Sequence, residues 1–183
     1  MFNSLINKNN KNKLGILITI CGNMYKKVSD LLKEKSGEIF SITEKKRLKD
    51  VVKIFIEKKI AALLVLDDDE KVKGIVSERD IIRKLSKTEG EIKNLRVKRI
   101  MTPWDRLIIS TPDDDLEYLM KIMIKNNIRH LPIVISKCSN LNLQTEFLGI
   151  LSMGDVIRAL IDDLDKENKM LRDYVKEIYP KNY

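Results

Sequence analysis

The chain repeats itself. Displaced by 68 positions, Thr43 falls on Thr111, Leu48 on Leu116, Ile56 on Ile124, Ile60 on Ile128 and Leu63 on Leu131. Displaced by 75, Gly74-Ile75 falls on Gly149-Ile150, Ser77 on Ser152, Asp80 on Asp155 and Arg83 on Arg158. Internal repetition fixes the architecture before any single motif does. In 183 residues it allows two small units around a shared core, and leaves no room for a catalytic barrel of roughly 250 residues with a module attached. The seven extra residues of the second copy fall in the polar stretch Lys137 to Thr145, where a surface loop is expected to absorb them.

Each copy reads as strand, helix, strand, strand, helix. Leu48, Val51, Val52 and Phe55 recur at the period of an amphipathic helix, and Leu116, Leu119, Met120 and Met123 repeat that spacing. The apolar runs AALLVL (61–66) and LPIVI (131–135) are short and bounded by polar residues, as buried strands are. Asp67 to Lys71 predicts a tight turn into Lys-Val-Lys-Gly-Ile-Val-Ser, closing a hairpin. Ser77 and Ser152 stand where a strand gives way to a helix, so each is a candidate N-cap.

Ser-x-x-Asp at such a junction has a chemical use. The helix dipole favours an ionised carboxylate in the first turn, and that acceptor can take both hydroxyl protons of a cis-diol such as ribose. The same residues also serve as plain helix caps. The segments Gly-Ile-Val-Ser-Glu-Arg-Asp (74–80) and Gly-Ile-Leu-Ser-Met-Gly-Asp (149–155) come with Met101-Thr102-Pro103, Ser110-Thr111-Pro112 and Ile128-Arg129-His130-Leu131-Pro132. In that order and duplication they resemble a tandem cystathionine-β-synthase-type (CBS) repeat, the Bateman module, over about residues 26–165.

The resemblance implies an α/β (α+β) fold of two β-α-β-β-α repeats about a pseudo-twofold axis, followed by a C-terminal helix. Its expected divisions are an N-terminal extension (1–25), a first repeat (26–96), a second repeat (97–165) and a helical tail (166–183). It further implies that clefts between the repeats bind an adenosine-containing regulator: AMP, ADP, ATP, NAD or S-adenosylmethionine. Asp80 and Asp155 would then hold ribose, with Ser77 and Ser152 beside them. Arg129 and His130 would reach phosphate, where the first repeat has Ala61 and Ala62. Arg79 and Arg83 lie on the helix after Ser77, with Gly154 in place of a second Arg79. Thr43 and Thr111 would flank the nucleoside, and Ile42, Ile60 and Ile128 would wall the purine. Glu44 stands where Pro112 would lead one to expect proline. In the family's usual pairing Thr111 and Arg129 work with Asp80, and Thr43 with Asp155; the sequence leaves that pairing open. The Arg129 cleft is expected to be stronger for phosphorylated ligands, aided by His130 when protonated below about pH 6.5.

The remaining chemistry is mostly exclusion. A single His, two Cys, no Gly-rich phosphate loop and no nucleophile elbow leave no catalytic set, no catalytic cofactor and no metal site. Asp67-Asp68-Asp69 belongs to a turn and Asp113-Asp114-Asp115 to a helix start, both of which favour acids without a metal. The net charge of +8 raises a nucleic-acid-binding alternative. However, only 5% of the residues are aromatic and no recognition-helix motif is present. A purely structural dimerisation module is the other alternative. The apolar run Leu14 to Ile20 is far too short to cross a bilayer, so residues 1–25 read as a disordered or non-native start. The expectation is a cytoplasmic protein away from the membrane, acting on an unidentified target protein. A homodimer is expected through Ile81, Ile82 and Leu85, and through Val156, Ile157, Leu160, Ile161 and Leu164. The tail is read as helical with Met170, Leu171, Tyr174 and Ile178 on one side.

Overall fold

The computed structural model describes residues 26–35, 39–88, 92–139 and 142–178. The extension expected over 1–25 and the last five residues of the tail lie outside them. A short helix α1 (Val28–Glu34) opens the described chain. The first repeat follows as β1 (Ser41–Thr43), α2 (Leu48–Lys58), β2 (Ala62–Leu66), β3 (Val72–Ser77) and α3 (Glu78–Leu85). A 3-10 turn at Val97–Arg99 and a two-residue strand β4 (Thr102–Pro103) lead to the second repeat. That repeat comprises α4 (Leu116–Lys125), β5 (His130–Ser139), β6 (Asn142–Ser152) and α5 (Met153–Ile178).

The four-stranded sheet runs β1-β2-β3-β4, with β1 parallel to β2 and the rest antiparallel. Gly74 is required where β3 meets β4, since a Cβ there would lie 2.2 Å from the Thr102 carbonyl oxygen. The second sheet is the β5-β6 hairpin. Its parallel first strand is reduced to one bridge, Ser110 to Ile133, at the position equivalent to the Ile42–Val65 pair. In the first repeat the ladder continues because the Glu44 N–H donates to the Leu66 carbonyl at 2.9 Å. Pro112 occupies the equivalent position and has no N–H to give, while the Thr111 N–H is spent on Asp114 Oδ2 at 2.8 Å. At the other end, the bond from the Leu64 N–H to the Phe40 carbonyl at 3.1 Å has no counterpart either, because Pro132 replaces Leu64; two prolines thus cut the strand back to its middle.

The expected loop at 137–145 is corrected by the fold. β5 and β6 pair from His130↔Ser152 out to Ser139↔Asn142, so the insertion lengthens both arms of the hairpin. Continued ladder bonding satisfies backbone groups that a loop would leave to water. The first-repeat hairpin closes early, at Asp67, whose Oδ1 accepts from the N–H groups of Asp69 and Lys71 at 3.0 and 2.9 Å.

Each repeat has its own core, and the segment preceding the other repeat completes it. Val51, Phe55, Leu63, Val65 and Val76 of the first repeat pack with Ile92, Val97 and Ile100. Leu116, Leu119, Met123, Leu131, Ile133 and Leu151 of the second pack with Val28 and Leu31 of α1. Backbone bonds hold this exchange: the Val28 N–H donates to the Asp114 carbonyl at 3.0 Å, and the Leu48 N–H to the Leu95 carbonyl at 2.9 Å. Between the sheets, Ala62, Leu64 and Ile75 meet Leu107, Phe147 and Ile150.

Candidate functional site

Two clefts lie where the repeats meet, and they are built alike. In one, Ile60, Ala61 and Ala62 of the first repeat face Ser152 and Asp155 of the second, with Ile39 and Phe40 from the approach to β1. In the other, Ile128, Arg129 and His130 face Ser77 and Asp80, with Leu107 and Ile108. Every one of these first-repeat residues maps onto its second-repeat counterpart by the displacement of 68 or 75. The geometry therefore crosses the repeats: the start of a central strand from one copy meets the Ser-x-x-Asp of the other.

Both aspartates are held by the same local device. Asp80 Oδ2 accepts from the Ser77 N–H at 2.9 Å and from Ser77 Oγ at 2.6 Å. Asp155 Oδ2 accepts from the Ser152 N–H and Oγ, both at 2.8 Å, and Ser152 Oγ in turn accepts from the Asp155 N–H at 3.2 Å. This is the reciprocal cap expected of a serine followed three residues later by an acid. The cap engages one carboxylate oxygen and leaves the other to groups beyond the cap.

The outer oxygens differ. Asp80 is buried, and its Oδ1 accepts from Thr102 Oγ1 at 3.0 Å and from Arg83 Nη1 at 3.3 Å. Asp155 is half-buried, and its further contact falls on the same Oδ2, a 2.6 Å ion pair from Lys35 Nζ. Burial alone would raise the Asp155 pKa, but the hydrogen bonds from Lys35 and Ser152 outweigh it and hold the carboxyl below its ordinary value. The Asp155 cleft encloses about 480 Å³, against about 210 Å³ for the Asp80 cleft. Small-molecule sites run from roughly 300 Å³ upward, so the Asp155 cleft is open as it stands. The Asp80 cleft is the smaller of the two, with Thr102 and Arg83 already on its carboxylate.

Charge divides the clefts in the opposite sense. Arg79, Arg83, Arg106 and Arg129 all line the Asp80 cleft. Arg79 Nη1 donates to the Asn127 backbone carbonyl and side chain, and Arg129 lies 3.6 Å from Glu78. The Asp155 cleft carries Lys35 and Lys59. His130, at the start of β5, lines both clefts. Its pKa is lowered to about 4, chiefly by burial and then by the positive charges of Arg129 and Lys35, against the weaker pull of Asp155 and Asp80. The expectation that His130 gains charge below about pH 6.5 is therefore corrected: in the ligand-free protein the imidazole stays neutral down to about pH 4.

Thr43 and Thr111 line neither cleft. Thr43 is the last residue of β1, paired with Leu66, and the Thr111 backbone is turned into the start of α4. Ile42 faces the first core instead of a cleft wall. In their place stand Ile39, Phe40, Leu107 and Ile108, together with Lys35, Lys59 and Arg106, none of which the motifs singled out, and Thr102 of the Met101-Thr102-Pro103 segment, to which the motifs give no site role. The pairs Ile39/Leu107 and Phe40/Ile108 obey the displacement of 68, so the repeat itself carried the signal. Lys35 left no such trace, because it reaches Asp155 only through the packing of α1 on the second repeat. Among the described residues no group of three or more His, Cys, Asp or Glu is placed to hold a metal ion, and no helix is long and apolar enough to cross a membrane.

Fold and site together define a paired-repeat α/β module whose two pseudo-symmetric clefts each draw on both copies. The family model described as CBS domain matches residues 28–87 and again 97–162, and the chain belongs to that family as a tandem CBS pair. The CBS domain-containing protein CBSX3, mitochondrial, of Arabidopsis thaliana is 30% identical over 158 residues, covering 83% of this chain and 73% of its own length. The CBS domain pair of protein MJ0100, solved in complex with 5'-methylthioadenosine and S-adenosyl-L-methionine, superposes with a TM-score of 0.57. It is 24% identical, over 74% of this chain and 95% of that one. CBSX2 in complex with AMP superposes with a TM-score of 0.51 at 24% identity, over 74% of this chain and 96% of that one.

Proposed function

We propose that this chain is a non-enzymatic regulatory module that binds an adenosine-containing ligand in its inter-repeat clefts. The observation that carries the reading is the crossed construction: a serine-capped carboxylate from one repeat faces apolar residues from the other, Ile39, Phe40 and Ile60 around Asp155. An ionised carboxylate with one oxygen left for solvent suits a ribose diol, and the apolar wall suits a purine face. The complexes of MJ0100 with adenosyl compounds and of CBSX2 with AMP support the ligand class. Asp155 and Ser152 hold ribose in the wider cleft, with Ile60, Ala61 and Ala62 opposite. Asp80 and Ser77 do so in the narrower one, where Arg129, with Arg79, Arg83 and the neutral His130, takes phosphate. Thr43 and Thr111 contribute nothing directly.

The module works as a pair with a second copy of itself, in the cytoplasm, on a target protein that reads its liganded state. A ligand switches it only by binding one arrangement of the repeats more tightly than another. Calorimetry with AMP, ADP, ATP, NAD and S-adenosylmethionine tests the reading. Asp155→Asn is expected to weaken the bound ligand about tenfold or more, since a hydrogen bond to a charged group is worth about 1.5–3 kcal/mol. Arg129→Ala should weaken AMP by a similar factor while leaving adenosine nearly untouched. A folded sample that binds none of the five ligands overturns the proposal.

A further inference from the structure

Helix α5 outruns the body it belongs to. Val156 and Ala159 are buried in the second core and Leu160 packs against it, but no described side chain of the helix beyond Leu160 is buried. The remainder, 161–178, extends about 27 Å at 1.5 Å per residue. Helices in proteins draw most of their stability from packing an apolar face. This one also carries large apolar side chains in the open: Ile161 is 52% exposed, Leu164 57% and Leu171 48%, with Ile157 and Val175 exposed as well.

Their spacing is not that of a helix lying on a globular core. Ile157, Ile161, Leu164, Asn168, Leu171, Val175 and Ile178 follow one another at alternating steps of four and three. That is the 3.5-residue period of a two-stranded supercoil. In heptad terms Ile161, Asn168 and Val175 occupy the a positions, and Ile157, Leu164, Leu171 and Ile178 the d positions. β-branched residues at a with Leu at d favour parallel dimers, and one buried Asn at a selects the two-stranded state and its register. Asn168 is that single polar residue in the seam, its side-chain amide now donating only to the Leu164 carbonyl of its own helix at 3.0 Å. In a parallel pair it meets its own copy and each amide finds the other. In an antiparallel pair it would face a d-position leucine, a partner with nothing to offer a buried amide. The flanking charges agree. Glu167 is at g and Arg172 at the following e, so a parallel pair sets Glu167 beside the partner's Arg172, twice by symmetry. Asp162, Asp163, Lys166, Lys169, Asp173 and Lys176 fall on the outer face.

We propose that residues 157–178 pair with the same segment of a second copy of this chain as a parallel two-stranded coiled coil, with Asn168 setting its register. The proposal rests on the pairing of copies inferred above and is independent of the ligand.

The test uses the full chain with Cys21 and Cys138 replaced by Ser. Light scattering at tens of micromolar is expected to give twice 21.3 kDa. Leu171→Lys lies outside the core, so it should leave the two repeats folded, with the parent's near-ultraviolet circular dichroism, while weakening the dimer by about a hundredfold or more. Val175→Cys should cross-link quantitatively into a dimer on mild oxidation, because a positions face each other only in the parallel arrangement. Asn168→Val should tighten association and admit trimers. A monomeric parent overturns both the coiled coil and the pairing of copies. A Leu171→Lys protein that stays dimeric, or a dimeric Val175→Cys protein that does not cross-link, overturns the coiled coil alone. Calorimetry with AMP on the Leu171→Lys monomer separates either outcome from the fate of the ligand proposal.

Discussion

His130 stands where the two clefts meet, and its neutrality has a consequence for folding. In the native state its pKa is lowered to about 4, while an unfolded histidine titrates near 6.5. Between those values the unfolded chain binds a proton that the folded chain refuses. Stability is therefore lost as pH falls from about 6.5 towards 4, and the loss levels off below that. Urea midpoints at pH 7 and pH 5 should show the parent losing stability while His130→Gln, which cannot be protonated, loses distinctly less. Equal losses in the two proteins would show that the imidazole is not shielded. The ion pair between Lys35 and Asp155 belongs to the same scale. Both partners keep solvent contact, so it is worth little to stability; it matters because a ligand's ribose must share a carboxylate already engaged.

At the scale of elements, repetition extends to backbone strain. Lys59 follows α2 with a φ of 52°, and Asn127 follows α4 with a φ of 52°, one repeat apart. Each reverses the chain so that the next strand enters beside a cleft, and each lines one. Asparagine tolerates the left-handed region, whereas lysine is held there at a cost of about 1–2 kcal/mol. Glycine removes that cost but adds about 0.5–1 kcal/mol of chain entropy on folding. Lys59→Gly should therefore stabilise the protein by about 0.5–1 kcal/mol, seen as a rise of roughly 1–4 °C in melting temperature. A fall would mean that the Lys59 side chain supports the cleft more than its backbone strains it.

The whole molecule is an exchange of segments. The α1 helix precedes the first repeat in the chain but completes the core of the second, and residues 92–100 precede the second but complete the first. The second repeat has no finished core without α1, which reaches it from the far side of the first repeat in the chain, so the two should unfold together. Urea denaturation followed by near-ultraviolet and far-ultraviolet signals is expected to show one coincident transition. Leu31→Ala should lower that single midpoint, at a cost of about 2–5 kcal/mol. Two separated transitions, with only one moved by the substitution, would show repeats that fold independently.

The duplicated unit, its elements and the serine-aspartate caps are all legible in the order of residues. These depend on residues close in the chain: an apolar period of 3.6 or 2, and a cap closed within one turn. The displacement of 68 even carried Ile39, Phe40, Leu107 and Ile108 to their clefts, for a reading that followed it that far. It also placed Pro112 opposite Glu44 and Pro132 opposite Leu64, the two substitutions that cost the second repeat its first strand. Three features come from the tertiary structure alone: both oxygens of Asp80 are engaged while the contacts of Asp155 gather on one, Lys35 reaches Asp155 across 120 residues, and His130 is neutral. Each of those depends on how segments distant in the chain bury and charge one another, and neither burial nor the distance between charges is written in the order of residues.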